Sequence, residues 1–349
     1  MLKYKHIPYL LDFKFDAGTS RGVLKQKETH FIKLWDENNP EVYGIGEAGM
    51  FRGLSVDDRP SFVDELNQVI DNYTAGSINI LDNLQNNPSI ATALEMALLD
   101  LKNGGKREIY RNDFSRNNIP LPINGLIWMG EKDFMKKQII EKIDLGFDCI
   151  KLKIGALDFN YECELIKFIR EEYTKDLIVR VDANGAFDPL LALGKLQKLS
   201  KYNLHSIEQP IRANQWEEMA ALCDKTPLPI ALDEELIGVS ERAVKERLLD
   251  IIKPQYIILK PSLLGGFENS EEWIQLADDK EIGWWVTSAL ESNIGLNAIT
   301  QWTSQLLFKG HQGLGTGALY ANNIKAPLYV KNGMIAYDKN IDWDLKLFE

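Results

Sequence analysis

The sequence predicts an α/β fold: a (β/α)7β modified TIM barrel with an α+β capping domain from the N-terminus and a C-terminal return to that cap. Three observations predict it. The first third of the chain reads as strands followed by helices. From about residue 119, short apolar runs alternate with amphipathic segments. Five of those runs end in lysines or carboxylates: Lys151-Leu152-Lys153, Asp182-Ala183-Asn184, Glu208-Gln209-Pro210, Asp233-Glu234-Glu235 and Lys260-Pro261.

In the first third, residues 2–15 alternate polar and apolar, and residues 28–35 do so again. Residues 41–47 follow a turn at Asn38-Asn39-Pro40. This pattern predicts a three-stranded antiparallel meander. Residues 59–73 and 88–102 read as helices. The second opens at Pro88-Ser89, sets apolar residues at 90, 94, 97, 98 and 101 on one face, and stops at Gly104-Gly105. Strands followed by helices mark a separate α+β unit, which we assign to residues 1–118.

The apolar runs lie at 121–128, 148–154, 178–183, 204–208, 228–233, 256–261, 282–288 and 312–319. Amphipathic segments lie between most of them, at 131–145, 158–174, 188–201, 214–224, 239–249 and 268–279. Strand–helix alternation with eight strands is the pattern of a parallel barrel, assigned to residues 119–322. No helical pattern as clear as the others follows the last strand. Residues 323–349 carry a short hairpin pattern around 326–335 and are assigned as the segment returning to the cap.

Composition narrows the function classes. The 349 residues are 45% hydrophobic and 26% charged, with a net charge of −11. That acidity argues against a nucleic-acid surface, which needs a basic stripe. No apolar stretch approaches the roughly 20 residues of a membrane span, and the first residues lack a signal-peptide apolar core. Cys149, Cys163 and Cys223 are odd in number, widely spread and without metal-binding spacing. Reduced thiols and a cytoplasmic location are the expectation. A small-molecule carboxylate is the expected partner, homo-oligomerisation being left open.

The intervals from Lys153 to Asp182, Glu208, Asp233 and Lys260 are 29, 26, 25 and 27 residues, each the length of one strand, one helix and their loops. A parallel barrel brings the ends of successive strands to one rim. Asp182, Glu208 and Asp233 would there offer hard oxygen ligands suited to Mg²⁺, with Mn²⁺ as a substitute. The competing reading pairs each acid with Arg180, Lys151 or a helix N-terminus. Lys151 and Lys153 stand two apart and face the same side of their strand, and Lys260 ends the sixth strand across the barrel. Neighbouring ammonium groups lower each other's pKa, and a lysine so tuned can act as a general base. The set fits abstraction of a proton α to a carboxylate.

Several segments resemble the enolase superfamily, in its muconate cycloisomerase-like branch. They are Ala17–Leu24 at the first lid loop, Gly46-Glu47-Ala48-Gly49 before the second, Ala93–Asp100, Ser288–Gly295 and His311–Gly317. The resemblance implies that Asp182, Glu208 and Asp233 bind Mg²⁺ and that Lys153 takes the α-proton and returns it to a departing hydroxyl. Lys260 would stay protonated and stabilise the enediolate from the opposite face, while Lys151 and Arg180 add positive charge near the substrate carboxylate. The implied reaction is syn-dehydration of 2-succinyl-6-hydroxy-2,4-cyclohexadiene-1-carboxylate to 2-succinylbenzoate, a step of menaquinone biosynthesis. Racemisation of N-succinyl amino acids and dipeptide epimerisation are the alternatives within the branch.

Dipeptide epimerases of the branch carry an Asp-x-Asp signature on the last strand. Here that region is Gly313-Leu314-Gly315-Thr316-Gly317. A neutral stretch with free backbone N–H groups suits a carboxylate, so Gly315 and Thr316 are candidate substrate contacts. Ser288 and Asn293 are further candidates, with helix capping as the competing role. Arg21 on the lid is a candidate for the substrate carboxylate, with a solvent-facing arginine as the competing reading. His205 and His311 read as structural. The rings of Trp284 and Trp285 should point to opposite faces of their strand.

Overall fold

The computed structural model describes residues 1–19, 22–77, 84–174, 176–307 and 310–349. The chain opens with three long antiparallel strands, β1 (Leu2–Thr19), β2 (Gly22–Asp36) and β3 (Asn39–Ala48). Helices α1 (Phe62–Thr74) and α2 (Pro88–Lys102) follow, and α2 lies flat on β3. Gly44 and Gly46 permit this approach, because a Cβ at either position would fall 1.8 Å from the carbonyl oxygen of Ala97 or Ala93. The contact is locked by Asp100, which accepts from the Ile45 N–H at 2.9 Å and pairs with Arg107 Nε at 2.8 Å.

A short helix α3 (Asp113–Asn117) and strand β4 (Leu121–Pro122) lead into the barrel. Its units are β5 (Gly125–Ile127), α4 (Lys132–Asp144), β6 (Cys149–Lys153), α5 (Phe159–Glu172), β7 (Ile178–Asp182) and α6 (Pro189–Leu199). Then come β8 (Ser206–Glu208), α7 (Trp216–Lys225), β9 (Ile230–Leu232), α8 (Arg242–Ile252) and β10 (Tyr256–Leu259). The turn helix α9 (Pro261–Leu264), α10 (Phe267–Asp279), β11 (Gly283–Val286) and α11 (Asn293–Gln305) complete it. Strands β5 to β11 pair in parallel, in sequence order. The expected eighth strand is reduced to two parallel bridges, Gln312 to Ile123 and Gly313 to Thr287. Those bridges join β11 to the chain entering β5 and close the ring.

Alternation along each strand divides the barrel core in two. Ile150, Leu152, Val179, Val181, Ile207, Ile230, Leu232, Ile257, Leu259, Trp284 and Val286 pack outward against the helices. Ala231, Ile258 and Trp285 form a separate cluster with Tyr256, so the adjacent tryptophans do part to opposite faces. Helix α11 had no counterpart among the sequence-predicted helices. Every residue from Ile294 to Thr303 on it is buried, its polar side included: Asn297 and Gln301 both donate to Arg107 O at 2.9 Å. The chain ends on a hairpin, β12 (Leu328–Lys331) and β13 (Met334–Tyr337), whose second strand pairs with β4. Phe348 then packs edge-on against Phe31 of β2, ring centres 5.2 Å apart.

Candidate active site

The even spacing of charged strand ends becomes a ring of ion pairs at the C-terminal rim of the sheet. Register places Lys151 beside Arg180, Lys153 beside Asp182, and Asp182 beside Glu208. Lys151 Nζ reaches Glu208 Oε2 at 2.7 Å and Asp182 Oδ2 at 3.2 Å. Lys153 Nζ donates to Asp182 Oδ2 at 2.7 Å and to Asn184 Oδ1 at 2.8 Å. Lys260 pairs with Asp233 and stands 3.9 Å from Glu208 Oε1. All three carboxylates are buried.

Burial and charge compete at each group. Burial would raise the Asp182 carboxyl, but the ammonium groups of Lys153, Lys151 and Lys260 hold it well below the usual carboxylate range. Asp233 is likewise lowered, burial being outweighed by Lys260. Glu208 goes the other way: burial and the negative charge of Asp182 push it up to about 8 despite Lys151. Mutual repulsion does not lower Lys151 or Lys260 as expected. Burial opposes the charge on Lys151, yet Glu208 and Asp182 carry it above the usual lysine range, and Asp233 and Glu208 do the same for Lys260.

Two residues absent from the sequence-based site list hold this ring in place. Asn184, at a left-handed φ of 44°, accepts from Lys153 and donates to Glu234 Oε1 at 3.0 Å. Gln209, fully buried, accepts from the Asp233 and Glu235 backbone N–H groups at 3.1 and 3.3 Å, tying the ends of β8 and β9 together. Both adjoin the charged strand ends in sequence. That adjacency is the signal that could have marked them; the left-handed backbone at each belongs to the fold.

Above the ring lies a cavity of about 80 Å³. Lys151, Lys153, Lys260 and Asn184 line its floor, and Asn124, Leu126, Trp128, Leu290, Gly313 and Gly315 its barrel wall. Leu24, Phe51 and Leu54 close it from the capping side. Ser288 and Thr316 also line it, their hydroxyls 2.7 Å apart. Asn293 does not line it: its side-chain amide donates to Ile324 O at 2.7 Å, at the start of α11. Arg180 points the other way along the barrel, donating to His311 O at 2.9 Å with its guanidinium 4.0 Å over the Trp285 ring. Arg21 lies outside the described residues. A larger hollow of about 590 Å³ lies between the 238–242 loop, α10 and the start of α2, and no lysine lines it.

The donor set bears on a cation. Among the described residues no three His, Cys, Asp or Glu side chains are grouped to hold a metal as they stand, and lysine ammonium groups face the acids instead. Glu208 Oε1 is nonetheless buried without a hydrogen-bond partner, and burial together with the charge of Asp182 disfavours its ionised form in the absence of a cation. Three buried carboxylates with one orphaned oxygen fit a hard divalent ion.

Residues 135–340 match the family described as enolase C-terminal domain-like. The chain belongs to the enolase superfamily. Members of that superfamily are generally divalent-metal dependent. The o-succinylbenzoate synthase of Desulfotalea psychrophila is 47% identical over 93% of this chain and 96% of its own length. The crystal structure of MenC from the same organism superposes with a TM-score of 0.82, covering 96% of this chain and 99% of that one at 42% identity. An N-succinylamino acid racemase of Thermus thermophilus is 27% identical over 82% of this chain and 77% of its own. The chain is thus an enzyme of the superfamily and a homologue of o-succinylbenzoate synthase, consistent with the lyase class. Among the described residues no helix of this superfamily member is long and apolar enough to cross a membrane.

Proposed function

We propose that the protein is an o-succinylbenzoate synthase, eliminating water from 2-succinyl-6-hydroxy-2,4-cyclohexadiene-1-carboxylate to give 2-succinylbenzoate in menaquinone biosynthesis. The observation that carries this reading is the meeting of Lys153 and Lys260, from β6 and the end of β10, on the floor of one cavity. Identity to the Desulfotalea psychrophila synthase supports it.

Lys153, in its neutral form, removes the proton α to the ring carboxylate, and the electron pair passes into that carboxylate as an enediolate. Lys260 keeps its charge, as its raised pKa favours, and faces the developing negative charge. The enediolate then collapses, the ring C–O bond breaks, and Lys153 returns its proton to the departing hydroxide as water. Aromatisation of the ring drives this second step. Asp182, Glu208 and Asp233 would hold Mg²⁺, with Mn²⁺ as a substitute, supplying positive charge for the substrate carboxylate. Lys151 keeps Asp182 and Glu208 in register beneath it. The Ser288 and Thr316 hydroxyls and the backbone at Gly315 suit the succinyl carboxylate, since no acid stands there.

The same reading assigns residues 1–118 to a cap, 119–322 to the catalytic barrel and 323–349 to the returning segment, supported by the Phe348–Phe31 contact. Three buried, unbridged cysteines fit a reducing cytoplasm. The decisive experiment follows loss of the diene absorbance on adding enzyme and Mg²⁺ to the substrate, and no loss would overturn the assignment. Racemisation of N-succinyl amino acids is the second reading, favoured by the same lysine pair. It predicts exchange of α-deuterium from D₂O into those compounds.

A further inference from the structure

A second group of charged side chains is buried where the capping strands meet the barrel. Lys27 on β2 is 7% exposed, and Glu291, between β11 and α11, is 0% exposed. Lys27 Nζ and both carboxylate oxygens of Glu291 have no hydrogen-bond partner among the described residues. Ser262 Oγ on α9 faces Glu291 but makes no hydrogen bond of good geometry. Backbone packs tightly against the group: a Cβ on Gly49 would stand 3.0 Å from Glu291 Cγ and 3.5 Å from Ser262 Oγ.

The neighbouring Glu47 shows by contrast what a satisfied buried acid looks like. It accepts from Thr29 Oγ1, Ser292 N, Ser292 Oγ and Gly295 N at 2.6–2.9 Å, and so caps the start of α11. Among the described residues Lys27 and Glu291 have no such partners; Lys27 lies in the field of Glu47 and of Glu291, and Glu47 already has its hydrogen bonds while Glu291 faces Lys27 without them. Four unpaired polar atoms in an enclosed place are the setting in which ordered water is found, since each water needs two to four polar partners. Opposite charges left bare there would be strongly disfavoured.

Each member of the group adjoins a segment that lines the substrate cavity. Leu24 precedes Lys27 on the same strand, Phe51 follows Gly49, Leu263 follows Ser262, and Leu290 precedes Glu291. Leu290 sits at φ 62°, a conformation a bulky residue takes only when its surroundings impose it. Its carbonyl is held by the Tyr320 hydroxyl at 2.6 Å.

We propose that Lys27 and Glu291 form a buried, water-bridged ion pair, with Ser262 as its third member. The pair holds the capping segments in register with the Lys260 and Leu290 loops and thereby sets the shape of the substrate cavity. Both are positioning residues, acting on substrate through Leu24, Phe51, Leu263 and Leu290. The functional part of this inference rests on the cavity being the active site, whereas the pair itself does not.

A double-mutant cycle tests it. Lys27→Met or Glu291→Gln alone leaves one buried charge without its partner, while the double variant leaves none, and the second situation is far better tolerated. Measured on Mg²⁺-loaded enzyme, each single variant should raise KM for the dehydration about tenfold with kcat changed less than about threefold. The double variant should recover most of that loss, a coupling expected of residues in one hydrogen-bonded or ion-pair network. Lys27→Arg, which keeps the charge, should recover KM in part. Losses that simply multiply in the double variant, or single variants with wild-type KM, would overturn the proposal. If wild-type enzyme shows no dehydration, the cycle is read on melting temperature: recovery in the double variant supports the pair and additive losses overturn it. Should the single variants fail to fold, a high-resolution crystal structure of the wild type decides. Water between Lys27 Nζ and Glu291 supports the proposal, and a lysine turned to another acid sinks it.

Discussion

The two ends of the barrel interior are built from the same strands, two residues apart, yet they handle charge in opposite ways. At the mouth, Lys151, Lys153 and Lys260 each meet a carboxylate from a neighbouring strand. One layer deeper, Arg180 meets none: it discharges onto the His311 carbonyl and the face of Trp285, within a cluster of Ala231, Ile258 and Tyr256. Lys151 and Arg180 are direct register partners, so two adjacent cations leave one level of the barrel in opposite directions. The difference separates the charges that the proposed chemistry uses from one that packs into the barrel. A cation over an aromatic ring, walled by apolar side chains, is a plug that stabilises. Cations and acids converging under a cavity are groups whose protonation can change during turnover.

That contrast is sharpest in turnover. Lys153→Ala should lower kcat for the dehydration by about 10²–10⁴-fold, the range expected when a general acid–base group is removed. Its melting temperature should stay near that of the wild type. A variant keeping most of its activity in a steady-state assay would break the assignment of the mouth as the reacting end.

The deeper layer should respond in stability instead. Trp285→Ala removes a buried ring from the barrel interior and from beneath Arg180. Chemical denaturation should show a loss of about 3–5 kcal/mol, with kcat of the folded fraction within about threefold of wild type. A fall in kcat as deep as that of Lys153→Ala would erase the distinction between the layers.

Metal should act at the mouth alone. Dialysis against a chelator should abolish dehydration, and added Mg²⁺ should restore it. Mg²⁺ at about 100 times its dissociation constant should stabilise the protein by about 2.7 kcal/mol, read as a rise in melting temperature. Glu208→Gln should lose that rise. Without metal it should melt above the wild type, because the amide replaces a carboxyl whose ionisation burial and Asp182 disfavour. An unchanged Mg²⁺ response in Glu208→Gln would argue that the ion binds elsewhere.

How much of this was legible beforehand follows from where the information resides. The barrel strands and most of their helices are written in local alternation, and the even spacing of Lys153, Asp182, Glu208, Asp233 and Lys260 places them on one rim without any knowledge of contacts. Helix α11 escaped because no charged residue marks a solvent face on it: its polar side, Asn297, Thr300 and Gln301, is buried. Arg180 shares a strand face with Asp182, and face alone does not say which way along the barrel a long side chain turns; that depends on Trp285, far along the chain. The approach of Lys27 to Glu291 is likewise set by how cap meets barrel. Strand spacing reports the rim, and tertiary packing decides which rim residues see the cavity.

The smallest effect separates the two layers by pH. Burial lowers His205 to about 4, aided by Arg180 and His311. In the unfolded chain a histidine titrates near 6.5. Between about 6.5 and 4 the unfolded state therefore binds a proton that the folded state refuses, and stability falls as pH drops through that window. His30, lowered to about 4 by burial and by His6, adds to the same limb. At the mouth, Asp182 and Asp233 are held low, so their contribution is complete above about 3.8 and is lost only as pH falls below it. Glu208, pushed up to about 8 by burial and Asp182, works against the histidine limb by gaining stability as pH drops from about 8 to 4.5. Denaturant melts across pH should thus show an upper limb that shrinks in His205→Gln, and shrinks further when His30→Gln is added. The limb below about pH 4 should remain. Loss of that lower limb in the histidine variants would mean that the mouth and the deeper layer titrate as one unit.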